Sequence, residues 1–359
     1  GQALTLVKKQ GVPAGLAASS AARAGSGGLA VSISAEPTTI TASEDLVIHV
    51  SITNISGHPV KLLKWSTPAD EVEGALFSVA VDGASVPYLG AHYKRPAPTA
   101  ADFLKIAPGE SLDRDVELTA LYDMTLTGDY TIQFDVTGWD LFALKPHGNS
   151  AGTKLDLDRL TSNVLSIYVQ GHPSQLESLV SPLVAAATTS SISFTGNCSN
   201  TQKSALTTAH GNALNYATNS VSYLNAGTTG SRYKTWFGTV TSSRYSTVKS
   251  HFVAIEGAFA TKAVNYDCGC KGNYYAYVYS NKPYQIHLCK VFWTAPATGT
   301  DSKAGTLVHE MSHFDVVAGT EDWAYGKTDA KNLAISNPTR AVDNADNHEY
   351  FGENTPIKY

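Results

Sequence analysis

The chain has 359 residues, 26 Lys and Arg against 31 Asp and Glu, and a formal net charge of -5. That length exceeds one typical hydrophobic core and predicts two domains. The absence of a basic run excludes tracking of a nucleic-acid backbone, and no stretch of about 18 apolar residues is present to span a membrane.

Residues 1–28 are rich in Ala, Gly and Ser without a compact apolar segment, and are read as a flexible arm left after removal of an export signal. From 29 to 170 the pattern has period two. Ile48, Val50 and Ile52 alternate with His49, Ser51 and Thr53, and Tyr130, Ile132, Phe134 and Val136 with Thr131, Gln133 and Asp135. Phe77, Val79 and Val81, and Leu165, Ile167 and Val169, repeat the theme. Such strands, separated by Asp82-Gly83, Pro108-Gly109 and Gly128-Asp129, predict an antiparallel β-sandwich, immunoglobulin-like in shape. His49, His58, His92 and His147 are scattered through this half and are read as surface or strand histidines.

Residues 171–192 dissolve into Pro, Ser, Ala and Thr and are read as a linker, with a processing site near 185–191. No Lys or Arg occurs between Arg159 and Lys203. The domain at 193–359 has helical periodicity: Leu206, Ala209, Ala213, Ala217, Val221 and Leu224 mark an amphipathic helix from Asn200 to Leu224, and a second is expected over Ser246–Ala258. Tyr274 to Tyr279 and Ile286 to Cys289 read as strands, and Lys327 to Ile335 and Pro338 to Tyr350 as helices. All four cysteines, Cys198, Cys268, Cys270 and Cys289, lie in this half. Cys268-Gly269-Cys270 is too cramped for a zinc-binding pair, so disulfides are expected, in three possible pairings, and with them an oxidising, secretory route.

His309-Glu310-Met311-Ser312-His313 is the chemical centre. On a helix at about 100° per residue the two imidazoles share a face with Glu310, while Leu307, Met311 and Phe314 form an apolar stripe opposite. Two histidines four apart suit one Zn²⁺, and the carboxylate beside the first suits a general base. Asp322 follows past a turn at Gly319-Thr320, and Tyr325 comes three residues later. Asp346 and Glu349, three apart on a helix, can face one pocket.

The run from Gly319 to Gly326 after the paired histidines resembles the aspzincin, or deuterolysin, family of zinc endopeptidases. Cys198 with its following helix, Tyr233 to Gly238, Thr298 to Glu310 and Asn344 to Phe351 resemble the members that cut before lysine, over residues 193–355. The N-terminal half resembles, more loosely, the pro-domains of bacterial members made as proenzymes. The resemblance implies a mainly α (α+β) zincin domain with one Zn²⁺ on His309, His313 and Asp322, Glu310 as base and Tyr325 as oxyanion donor. It also implies a lysine pocket at Asp346 and Glu349, and disulfides Cys198–Cys268 and Cys270–Cys289. The rival assignment makes Glu349 the third ligand.

Two functions follow. The first is a secreted, monomeric zinc endopeptidase made as a zymogen, acting on protein or peptide substrates, with the β-domain as intramolecular chaperone and inhibitor. Needing lysine, such an enzyme would depend on another protease, or on cleavage outside its preference, for release at a lysine-free linker. The alternative is a secreted toxin or adhesion module with structural zinc and a partner-binding β-domain.

Overall fold

The computed structural model describes residues 6–8, 27–138, 140–143, 157–171 and 191–359. Most of the arm at 1–28, most of the linker at 171–192, and His147 lie outside the described residues. The chain forms two compact units: Gly1–Gly90 with Pro98–Val180, and Ala91–Ala97 with Ser181–Tyr359.

The first unit carries strands β1 (Leu6–Lys8), β2 (Leu29–Ser34), β3 (Thr39–Ile40), β4 (Val47–Asn54), β5 (Val60–Leu63), β6 (Phe77–Val81) and β7 (Ala84–Ser85). After an excursion through β8 (Ala91–Lys94) it continues with β9 (Phe103–Ile106), β10 (Glu110–Glu117), β11 (Gly128–Gly138) and β12 (Asp158–Val169). They form sheets in the orders β1-β10-β4-β2 and β3-β12-β11-β6-β7, plus the pair β5-β9. All pairs are antiparallel except β3 with β12. The alternation read from sequence is the cause: Ile48, Val50, Ile52, Tyr130, Ile132 and Phe134 are buried in one core shared by both larger sheets.

The second unit has a five-stranded sheet in the order β13 (Ser191–Thr195), β14 (Ala263–Asp267), β16 (Gln285–Leu288), β15 (Ala276–Tyr279), β8. Its helices are α1 (Asn200–Asn225), α2 (Ser231–Phe237), α3 (Ser242–Thr261), α4 (Lys290–Thr294), α5 (Lys303–His313), α6 (Lys327–Ser336), α7 (Pro338–Val342) and α8 (Ala345–Glu353). Helix α1 starts at a capping box between Ser199 and Gln202 and buries Leu206, Ala209, Ala213, Ala217, Val221 and Leu224, the stripe expected from spacing. Both disulfides implied by the resemblance are formed. Among the described residues no helix is long and apolar enough to cross a membrane.

Three local expectations give way. The linker reading extends into β13, whose Ile192 and Phe194 alternate with Ser and Thr and whose backbone pairs in parallel with β14. Helix α5 ends at His313, short of Gly319, because Phe314 turns extended and its carbonyl collects the amides of Val317, Ala318 and Gly319. The helix expected over Pro338–Tyr350 is split: Asn344 is extended and spends its side chain on the loop before α6.

Candidate active site

Helix α5 starts at Ser302, whose hydroxyl accepts the Gly305 amide, and every residue from Ala304 to His313 is buried. Leu307 and Met311 grip the core, which points the other face at the chemistry. His309 and His313, one turn apart, bring their Nε2 atoms to 3.1 Å. Each ring is oriented through Nδ1, His313 donating to the Thr320 carbonyl at 2.6 Å and His309 to Asp346 Oδ1 at 2.7 Å.

Asp322 Oδ1 completes a triangle, 3.3 Å from His309 Nε2 and 3.5 Å from His313 Nε2. Around a tetrahedral zinc with bonds of about 2.0–2.1 Å, ligand atoms stand about 3.3 Å apart, so the three donors fit one ion. With both Nδ1 atoms donating, the two Nε2 lone pairs and an Asp322 oxygen that accepts no hydrogen bond among the described residues converge on a single point. Three acceptors facing one point call for a cation, and the Nδ1 partners are the outer supports that hold such ligands. Burial lowers the His313 pKa to about 3, keeping it in the neutral, ligating form. Burial acts likewise on His309, but the carboxylate of Asp322 beside it outweighs that and raises its pKa.

The loop bearing Asp322 is pinned on both sides. Gly319 takes a left-handed φ of 58°, available to glycine without strain, and closes onto the Phe314 carbonyl. Ser312 and Thr320 hydroxyls meet at 2.6 Å, Glu321 bonds Asp343 and Ala345 through its backbone, and Asn344 receives the Trp323 and Ala324 amides.

Glu310 is buried beside His309, and among the described residues neither of its carboxylate oxygens has a hydrogen-bond partner. Burial pushes its pKa up to about 8, with the His309 charge opposing. A dication on the neighbouring donors would oppose it further, returning the group to a carboxylate able to accept a proton. Tyr325 follows on the same loop, its phenol pKa raised by burial and by the Asp322 charge.

Asp346 and Glu349 project from α8 to the other side of His309. Asp346 Oδ2 receives the Gly326 amide at 2.6 Å, while Oδ1 serves His309. Glu349 Oε2 lies 3.5 Å from His309 Nδ1. Nδ1 and Nε2 point in different directions from the ring, so Asp322, and not Glu349, shares the Nε2 side with His313. Glu349 instead faces Lys94 of β8, whose Nζ is 2.6 Å from Glu349 Oε2 and 3.3 Å from Asp346 Oδ1. Burial would neutralise Lys94, but the charges of Asp346 and Glu349 outweigh it and hold the ammonium charged.

Lys94 and its neighbour His92, stacked on His313 at 4.9 Å, are the residues that sequence reading missed. The signal was present in Ala91-His92-Tyr93-Lys94. That signal is weak, because Ala91 and Tyr93 give the strand an apolar face and polar side chains on the other face are those of an ordinary half-exposed strand.

A family model described as lysine-specific metallo-endopeptidase, of the aspzincins, matches residues 222–353. The chain is 43% identical over 317 residues to an extracellular protease of Aeromonas hydrophila, spanning 88% of this chain and 89% of that one. It is 35% identical over 350 residues to a peptidyl-Lys metalloendopeptidase of Grifola frondosa, spanning 92% and 94% respectively. A solved structure titled zinc peptidase from Grifola frondosa is 48% identical, covering 45% of this chain and 100% of that one, at a TM-score of 0.44. With relatives of that identity aligned over nearly their whole length, and with donors and a neighbouring carboxylate arranged as above, the chain belongs to the aspzincin family and is a zinc metalloendopeptidase.

Proposed function

We propose that this chain is the exported, inactive precursor of an endopeptidase that cuts peptide bonds on the amino side of lysine, with one zinc per chain on His309, His313 and Asp322. The observation that carries the lysine preference is the Lys94 ammonium, buried between Glu349 Oε2 at 2.6 Å and Asp346 Oδ1 at 3.3 Å. A substrate lysine reaching the same carboxylates is matched in charge and reach. A neutral side chain leaves buried negative charge uncompensated, and the planar guanidinium of arginine has a different shape.

Zinc, when bound, supplies Lewis acidity and a water of lowered pKa. Glu310 takes the proton of the attacking water and returns it to the leaving amine. Tyr325, kept protonated by its surroundings, donates a hydrogen bond to the developing oxyanion. Asp346 has two tasks: it holds the substrate ammonium, and it fixes His309 through Nδ1. An extended substrate pairs its backbone with β15, the strand on which β8 lies in this structure. Export is supported by the two disulfides and by the similarity to an extracellular protease. The first unit serves in this reading as an immunoglobulin-like pro-domain.

The test uses zinc-loaded chain that has been cut within 171–192, incubated with a mixed protein digest whose new N-termini are then sequenced. Lysine should dominate the first position after the cut. A distribution indifferent to lysine sinks the specificity, and no cleavage at all sinks the peptidase role assigned to these residues.

A further inference from the structure

Helices α5 and α8 pack side by side in opposite directions and are joined at two places. The first is at the chemistry, where Asp346 holds the His309 ring. The second is at the far end of both, where Glu353, the last residue of α8, meets Ser302, the N-cap of α5. Seven residues separate His309 from Ser302, and seven separate Asp346 from Glu353. On each helix that is two turns, about 10 Å along the axis.

Glu353 is 6% exposed. Its Oε1 accepts the Ser302 amide and the Ser302 hydroxyl, both at 2.8 Å, and its Oε2 accepts the Asp301 amide at 3.2 Å. Asp301 stands at a left-handed φ of 53°, uncommon for a residue with a side chain, and the Tyr350 hydroxyl of α8 also holds it there by donating to its Oδ1. Gly305 leaves the room this needs, since a Cβ at that position would stand 2.1 Å from Glu353 Oε1. Burial and the Glu349 charge one turn back raise the Glu353 pKa, and the bonds to Ser302 oppose the rise. The Ser302 hydroxyl already caps α5 by accepting the Gly305 amide, so capping by itself does not call for a costly buried carboxylate.

A contact at one point leaves two packed helices free to pivot about it, whereas contacts two turns apart remove pivot and slide together. Helix α5 carries the paired histidines, and α8 carries both acidic residues of the pocket. We propose that Glu353 is a positioning residue for substrate choice: by locking the start of α5 to the end of α8, it fixes how far the lysine pocket stands from the zinc donors and so matches the site to the length of a lysine side chain. The proposal deepens the peptidase reading and rests on it. Glu353 acts through the two helices and not on the substrate. With the lock in place, a side chain one methylene shorter leaves its ammonium short of Asp346 and Glu349 when the bond to be cut is at the metal. Without the lock, α8 settles to meet either length, and the discrimination is lost.

The experiment compares wild type, Glu353→Gln and Gly305→Ala, each zinc-loaded and cut within 171–192, with folding checked by thermal unfolding and metal content by analysis. Glu353→Gln turns an amide group toward a backbone donor that the carboxylate had accepted. Gly305→Ala leaves Glu353 in the chain but drives its carboxylate off Ser302, and alanine favours a helix more than glycine does, so this variant keeps the test decisive if the first fails to fold. The readout is the ratio of kcat/KM for two reporter peptides that differ only in carrying lysine or ornithine after the bond to be cut. Wild type should favour lysine by about 10²-fold, and the ratio should fall by about tenfold in both variants at unchanged zinc content. A loss of rate equal for both peptides leaves the ratio where it was and overturns the proposal, as does zinc lost from both folded variants. Equal cleavage of the two peptides by wild type sinks the length matching while the peptidase reading stands. If cut, zinc-loaded wild type cleaves neither peptide, the peptidase reading falls first and takes the positioning role with it.

Discussion

At the scale of single residues, the carboxylates around His309 separate by what they touch. Glu310 sits beside the three converging donors, with no hydrogen bond to its oxygens among the described residues. Glu310→Gln should keep zinc but lose about 10²-fold or more in kcat, because the ligands survive and the base does not; zinc analysis with turnover checks it, and near-normal turnover at full metal content refutes the role. The same burial has a consequence for the metal-free protein. Its folded-state pKa of about 8 exceeds the ordinary 4.5, so between those values the folded chain holds a proton that the unfolded chain has released. Stability of the metal-stripped protein should therefore fall as pH rises from 4.5 to 8, and Glu310→Gln should reduce that fall. Denaturant midpoints at both ends of the window measure it, and a residual slope from Glu321, raised by burial to the same value, is expected. Asp322→Ala should lose zinc affinity, whereas Glu349→Gln should retain the metal and relax the preference for lysine. The reverse pattern by metal analysis would install Glu349 as the third ligand.

At the scale of elements, the site depends on where helices stop. Were α5 to continue to Gly319, Asp322 would be carried away from the Nε2 pair; the turn at Phe314 brings it back. Asn344 is the counterpart on the other side. Breaking the helix there lets its side chain receive two amides of the Asp322 loop, donate to the Ala324 carbonyl, and donate to Asn347 at the head of α8. The residue thus ties the loop that carries a metal donor to the helix that carries the acidic pocket. Asn344→Ala should destabilise the protein by about 1–3 kcal/mol through stranded buried groups. It should also raise the zinc dissociation constant, although Asn344 touches no donor atom. Unfolding curves in zinc buffers measure both effects, and unchanged zinc affinity in a folded variant would show that the loop is set without it.

At the scale of the molecule, all four cysteines lie in one compact unit. Cys198–Cys268 spans 70 residues and joins the start of α1 to the end of β14, while Cys270–Cys289 spans 19 and joins that same loop to the end of β16. Each should contribute about 2–4 kcal/mol. Reduction under mild denaturant should lower the unfolding midpoint of this unit and abolish activity, leaving the cysteine-free unit at its original midpoint. Domain-resolved unfolding, by intrinsic fluorescence and limited proteolysis, tests this; a common shift of both transitions would contradict it.

The chain's local chemistry was enough to identify β4, β6, β11 and β12 of the first unit, the stripe of α1 and the helix presenting His309, Glu310 and His313, because each rests on a periodicity of a few residues. The resemblance supplied Asp322, Tyr325, Asp346 and Glu349 and the disulfide pairing, where spacing alone left rivals standing. Tertiary structure decided what sequence separation conceals. Lys94 and Asp346 are 252 residues apart, and their meeting at 3.3 Å depends on β8 joining a sheet built from the other half of the chain. The side of the His309 ring on which each carboxylate falls is likewise a matter of helix ends and loop closure. A one-dimensional pattern states which side chains a residue has for neighbours along its own strand or helix; it does not state which distant strand will pair beside it.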